Sequence, residues 1–234
     1  MSPKTHNVVR LTRLPNESAE YRDAREALRR AEIDLMQQRE RVAQMRRALP
    51  LGPVVDDYVF TEGPRALDVG DAPVSTVRLS ELFTAPDRAL VVYHLMYGKA
   101  QTEPCPMCTQ WIDGLNGVAR HLAQNVDFVV VAAADPEPLR ALARARGWDR
   151  LRLLSCGDNT FKYDLLSEDA DGVQDSTVSV FVRDDDGNVR HTYTVRPALS
   201  PEIRERGIDL LCATWHVLDL TPQGRGDWYS SVDY

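Results

Sequence analysis

The chain has 234 residues, 43% hydrophobic and 27% charged, a composition ordinary for a globular protein with its own core. A net charge of −7 and an isoelectric point near 5.3 argue against a nucleic-acid partner, which calls for a basic face. No run approaches the roughly 20 apolar residues of a membrane span, and no apolar segment behind Met1-Ser-Pro-Lys-Thr-His suggests a signal peptide.

Residues 1–15, with Pro3 and Pro15, show little periodicity. A helix is predicted next, capped by Asn16 or Ser18 and running to about Leu49. Glu17 and Glu20 suit its first turn, Arg46 and Arg47 its last, and Pro50 stops it. Its apolar residues repeat every seven: Tyr21, Leu28, Leu35, Val42 and Leu49 in one row, Ala24, Ala31 and Met45 in the other, broken by Gln38. A stripe that narrow is the pattern of a coiled-coil seam. It predicts that residues 1–50 form a dimerisation arm and that residues 51–234 form the globular domain of a homodimer. The charged face of this helix, 8 Arg against 7 Asp and Glu between Glu17 and Leu49, is balanced and favours no anionic partner.

Val54–Phe60 reads as a strand with a turn at Gly63-Pro64, and Thr76–Phe83 as a short strand followed by one helical turn. Ala89-Leu-Val-Val-Tyr-His-Leu95 is a continuous apolar run, as expected of a strand buried on both faces. A loop, Met96–Pro104, leads to a helix from Cys105 to about Gln124. Val126–Ala133 is a second buried strand. Pro136–Arg146 is a helix closed by Gly147, and Leu151–Leu154 is a third strand. This alternation predicts an α/β fold with a mostly parallel sheet. Thr177–Val182 and Val189–Val195 form a hairpin about the turn Asp184-Asp-Asp-Gly-Asn188, and a last helix is expected over about Pro201–Leu211.

The chemistry gathers at Cys105-Pro106-Met107-Cys108. Four cysteines are too few to staple a secreted domain, so a cytoplasmic, reducing location is expected, where such a pair is catalytic or metal-binding. Free N–H groups and the helix dipole stabilise a thiolate at Cys105, and Cys108, one turn on, can resolve a mixed disulfide formed there. His94, at the end of the preceding strand, is the candidate assistant to the pair. The leading expectation is a thiol–disulfide oxidoreductase needing no cofactor and acting on a small thiol or disulfide or a protein dithiol. The alternative is a Cu(I) or Zn(II) site formed by Cys105, Cys108 and His94. Tyr93, Tyr97, Lys99 and Trp111 are the candidate substrate-lining residues. Cys156 and Cys212 read as isolated buried thiols. The loop with Asn159, Phe161, Tyr163 and Asp164 follows a strand end and is a second candidate lining.

Three segments together carry a resemblance: Tyr93-His94-Leu-Met-Tyr97-Gly98, Cys105-Pro-Met-Cys108-x-x-Trp111, and Leu218-Asp-Leu-Thr-Pro-Gln-Gly224-Arg225. With them the chain resembles a bacterial family of thioredoxin-like proteins of unknown function, over nearly its whole length. The resemblance implies a thioredoxin-like central mixed sheet flanked by helices, with the long N-terminal helical arm added, and a candidate dithiol site. Two departures stand out. Thr102-x-x-Cys105 matches half of the peroxiredoxin signature, but position 98 is Gly where that signature has Pro. Gln174-Asp-Ser-Thr177 lacks the cis-proline that members of the thioredoxin fold usually hold facing the dithiol.

Overall fold

A computed structural model of the protein describes residues 14–201 and 206–232. The chain divides into two compact units, with the break between Leu49 and Pro50. The first unit contains helix α1, Ala19–Arg47, with Ser18 at its N-cap accepting from the Tyr21 N–H at 3.1 Å. None of its residues is buried, and Tyr21, Leu28 and Leu35 are each about half exposed.

The second unit is built on one seven-stranded sheet. Its strands in chain order are β1 (Val59–Glu62), β2 (Ser75–Arg78), β3 (Leu90–Leu95), β4 (Asp127–Ala132), β5 (Arg152–Ser155), β6 (Thr177–Arg183) and β7 (Val189–Val195). In space they run β2-β1-β5-β4-β3-β6-β7. β3, β4 and β5 are parallel, with Val92 opposite Val129 and Val131 opposite Leu154. β6 lies antiparallel to β3, and β7 antiparallel to β6. The crossover from β3 to β4 is α2 (Pro106–Leu122) and that from β4 to β5 is α3 (Pro136–Arg146). A parallel β-α-β unit with an antiparallel hairpin added beside its first strand is the thioredoxin-like core, and β1 and β2 extend the far edge.

Each crossover helix obeys its sequence. Pro106 and Pro136 each stand in a first turn, where a missing N–H is harmless, and Gly147 closes α3 at φ 69°. α2 buries Cys108, Trp111, Ile112, Leu115 and Ala119, the spacing of one helical face. That face packs against Tyr93, Leu95, Val130 and Ala132, together with Leu139 and Ala143 of α3. The opposite face of the sheet carries Leu90, Val92, Val129, Val131 and Phe181, covered by Leu79, Leu82 and Phe161.

Three boundaries differ from the sequence pattern. The first strand starts at Val59 rather than Val54, because the Asp57 carboxylate turns aside to accept from the Ser80 N–H at 2.8 Å and its hydroxyl at 3.0 Å. Val54 instead bridges to Arg190 on β7. A four-residue helix, α4 (Phe161–Asp164), stands where a loop was expected. The expected helix over Pro201–Leu211 lies partly outside the described residues; beyond it come a 3-10 turn, Asp209–Leu211, and a helix, α5 (Ala213–Leu218), that the pattern did not reveal. Among the described residues no helix is long and apolar enough to cross a membrane.

Candidate active site

The site stands where β3 ends and α2 begins. The intervening loop turns back on itself at Gly98, whose N–H donates to Gln101 O at 2.7 Å while the Gln101 N–H donates to Gly98 O at 3.0 Å. Gly98 has φ +95°, and a Cβ there would lie 2.2 Å from the Ala134 nitrogen. Proline, with φ near −65°, cannot take that conformation, which explains why the peroxiredoxin-type proline is missing. Tyr97 O accepts from Ala133 and Ala134, so the loop is fastened to the end of β4 rather than free to fold over a substrate. The Cys105 N–H then donates to Met96 O at 3.0 Å, which starts α2 with Cys105 as its N-cap.

The two sulfurs differ sharply in surroundings. Cys105 is half-buried and Cys108 is wholly buried; both are free thiols. Burial opposes charge on Cys108. Hydrogen bonds donated by Cys105, the Ser176 hydroxyl, the Met96 N–H and the Tyr93 hydroxyl outweigh that penalty and bring it down to about 6. Cys105 moves the other way: donating to Cys108, being buried and facing that charge together push it up, although the Met107 and Cys108 N–H groups pull against them. The two shifts run in opposite directions, and the contact between the two sulfurs contributes to both. Ser176 stands one residue before β6, in the segment Gln174–Thr177 that lacks a proline, and its Oγ is 3.0 Å from Tyr93 Oη.

Lys162, on α4, is a buried charged residue near the strand ends that sequence reasoning passed over. It is 1% exposed, with Nζ 2.8 Å from Leu95 O and hydrogen-bonded to Gln174 Oε1. Gln174 also donates from Nε2 to Gly98 O at 2.7 Å, tying the lysine to the loop. The signal available was weak: a lysine two residues past Thr160, in a segment flagged only for its aromatics and acids.

His94 does not join the cysteines. Side chains alternate along a strand, so Tyr93 and Leu95 face α2 while His94 shares the other face with Leu90 and Val92. There its ring stacks on Phe161 at 5.2 Å and 6°, with Nε2 3.0 Å from Ser179 Oγ. Burial, then the charges of Lys162 and His191, hold it well below its ordinary value, so it is neutral. The expected Cu(I) or Zn(II) site of Cys105, Cys108 and His94 is corrected accordingly: the third ligand lies across the sheet. Among the described residues no group of three or more His, Cys, Asp or Glu side chains is arranged to hold a metal.

Of the expected lining residues, Tyr93 reaches the sulfurs, whereas Trp111 is core, packed edge-on to Tyr93 at 6.3 Å. Tyr97 is half-buried, and Lys99 is paired with Glu168 at 2.5 Å. Thr102 is exposed. Cys156 is buried on the far face and pushed up to about 11 by that burial. Cys212 packs on the α2 face and accepts from Gln110 Nε2 at 3.2 Å. The C-terminal motif is a clasp: Arg225 bonds both Asp209 and Asp219 and lies 4.3 Å over the Trp215 ring.

Fold and topology make this a thioredoxin-like α/β protein. The chain belongs to a bacterial protein family of unknown function (DUF899), whose model matches residues 11–234. No curated protein matches it in sequence. Among solved structures it is similar to reduced Prx3 of Vibrio vulnificus in complex with hydrogen peroxide, at 16% identity and a TM-score of 0.48, covering 70% of this chain and 97% of that one. It is also similar to Mycobacterium tuberculosis AhpC, at 17% identity and a TM-score of 0.46, covering 70% and 89%. Both are similarities of fold.

Proposed function

We propose that the protein is a thiol–disulfide oxidoreductase of the cytoplasm that works through Cys105 and Cys108. The observation that carries this reading is the placement of Cys105, half-buried at the N-terminus of α2, one turn before the wholly buried Cys108, whose thiolate form the Cys105 thiol and the Ser176 hydroxyl favour. A thiolate so held serves as the internal base for its more accessible neighbour. Cys105 passes its proton to Cys108 as its sulfur attacks a substrate disulfide R–S–S–R′. The Cys105–S–R bond forms, the substrate S–S bond breaks, and the departing R′–S⁻ takes the proton from Cys108. The Cys108 thiolate then attacks Cys105 Sγ, closes the intramolecular disulfide and releases R–S⁻. The pair loses two electrons and the substrate gains them; with thiols as substrate, every step runs in reverse.

The test is mass spectrometry of the protein equilibrated with glutathione redox buffers. A reversible loss of two hydrogens is expected in the wild type, with a trapped glutathione adduct on Cys105 in Cys108→Ser and none in Cys105→Ser. An inert pair across the whole buffer range sinks the reading. The long helix belongs to the same proposal as a dimerisation arm, pairing its seven-residue stripe with that of a second copy, because no residue of α1 is buried within one chain.

A further inference from the structure

We propose that His94 and His191 form one proton-linked pair, joined by a hydroxyl relay through Ser179 and Thr194, in which protonation of His191 moves the hydrogen of His94 from Nε2 to Nδ1. The relay lies on the face of the sheet away from α2 and is independent of the dithiol chemistry. Three contacts make it. His94 Nε2 is 3.0 Å from Ser179 Oγ, Ser179 Oγ is 2.9 Å from Thr194 Oγ1, and Thr194 Oγ1 is 2.6 Å from His191 Nε2. His94 and Ser179 are fully buried, whereas Thr194 and His191 are half-buried and line a cleft of about 450 Å³. The chain therefore runs from the interior toward solvent. A β-bulge makes this possible. Ser179 pairs with Thr194 and Val180 with Tyr193, but Phe181 then pairs with His191, which leaves Thr192 as the extra residue. In an unbroken strand residues 191 and 194 would point to opposite faces; the bulge turns His191 onto the face of Thr194. Thr192 Oγ1 fastens the bulge by donating to Val180 O at 3.0 Å, and the His191 ring packs edge-on to Phe181 at 5.8 Å.

Hydrogen counting fixes what such a relay can do. Each hydroxyl has one hydrogen, and a neutral imidazole has one donor and one acceptor nitrogen. All three contacts are hydrogen bonds in only two arrangements. In the outward one His94 Nε2–H donates to Ser179, Ser179 donates to Thr194, and Thr194 donates to His191 Nε2. In the inward one every bond is reversed: His191 Nε2–H donates and His94 Nε2 accepts, so the hydrogen of His94 sits on Nδ1. That nitrogen is buried and has no hydrogen-bond partner among the described residues. The outward arrangement leaves a bare lone pair there, and the inward one an unpaired N–H, the costlier of the two. With both rings neutral the outward arrangement is preferred. An imidazolium at His191 carries hydrogen on both nitrogens and fits only the inward arrangement. The proton taken up from solvent stays on His191, and His94 keeps one hydrogen throughout, exchanged between its two nitrogens.

The charged groups around the two rings leave His191 as the one that takes the proton. His94 faces Lys162 on α4 and His191 on β7, and its burial, together with those charges, keeps it neutral. His191 shares its cleft with Asp56, Tyr58, Asp164 and Arg196. Asp164 accepts from Tyr58 Oη at 2.8 Å, and Arg196 donates to Leu166 O at 3.3 Å. Arg190, next in the chain, is held by Asp184 at 2.6 Å. Burial keeps His191 below its ordinary value, while a hydrogen bond to the Tyr193 backbone acts the other way. The relay adds a second restraint in the same direction as burial, because charging His191 forces the unpaired N–H on His94.

Histidine side-chain ¹H–¹⁵N spectra of the full-length wild type, with each ring assigned by through-bond correlation to its backbone, read both tautomers as pH falls from about 8 to about 5. At the upper end His94 is expected in the Nε2–H form and His191 in the Nδ1–H form. As His191 titrates, His94 is expected to pass to the Nδ1–H form with the same midpoint while remaining neutral. A His94 that keeps one tautomer throughout the His191 titration overturns the proposal. Ser179→Ala cuts the relay without touching either ring. In that variant the His94 tautomer is expected to ignore the His191 titration. The His191 midpoint is expected to rise by about one pH unit or more, the cost of a buried unpaired N–H read on the pKa scale. An unmoved midpoint in a folded Ser179→Ala protein overturns the proposal. Should that variant not fold, Thr194→Val makes the cut at the half-buried link, and a His94 tautomer that still follows His191 there has the same force.

Discussion

Replacing Ser176 with alanine removes one hydroxyl from the set that holds charge on Cys108, and it leaves the helix, the loop and both sulfurs in place. A hydrogen bond to a charged group is worth about 1.5–3 kcal/mol, and one pKa unit corresponds to about 1.4 kcal/mol, so one donor accounts for roughly 1–2 units. The Ser176 oxygen is also 3.0 Å from Tyr93 Oη, and the tyrosine, which bonds Cys108 itself, keeps that bond in the variant. The lower figure applies. Cys108 is expected to move from about 6 to about 7, read as 240 nm absorbance in a Cys105→Ser background. Stability carries the same signature. Because Cys108 is lowered from an ordinary 9.0 to about 6, the folded protein binds fewer protons than the unfolded chain between those values. Stability of the reduced protein therefore rises with pH across that window, and the gain is lost as pH falls through about 6. The raised Cys105 acts only above the window. Ser176→Ala should accordingly lose about 1.4 kcal/mol more in urea unfolding at pH 9 than at pH 5. Equal losses at both pH values, with an unmoved thiolate midpoint, would refute the assignment of charge to Cys108.

Other outcomes follow from the same geometry. His94→Phe should leave the thiol titration unchanged, because the imidazole lies across the sheet, while removing an acid weakness. Buried neutral His94 is held below 6.5, so the wild type loses stability as pH falls beneath that value and the unfolded chain takes the proton; a pH series of thermal melts reads the difference. Gly98→Ala should destabilise by about 3 kcal/mol or more in urea unfolding, from the disallowed φ and the clash with Ala134 together. A loss under about 1 kcal/mol would mean that the loop relaxes freely. Leu28→Glu with Leu35→Glu, in the full chain, should halve the mass seen by sedimentation without lowering thiol reactivity. An unchanged mass would remove α1 from the interface.

Much of this molecule is local enough to be legible in one dimension. Apolar runs such as Leu90–Leu95 and Asp127–Ala132 specify strands buried on two faces, and Pro106, Pro136 and Gly147 punctuate the helices because their constraints act within a turn. The pairing of Cys105 with Cys108 is local for the same reason: three residues make one helical turn. What the chain could not disclose on its own is which side chains from distant segments stand beside the two sulfurs. Ser176 comes from a segment about 70 residues away along the chain and stands beside Cys108 only because β6 lies beside β3, and Lys162 meets the Leu95 carbonyl only because α4 returns to the strand ends. The strand pleat, likewise, turned His94 away from the cysteines although it precedes them by only a loop. Short-range sterics choose the elements; long-range packing chooses the neighbours, and an electrostatic site is made of neighbours.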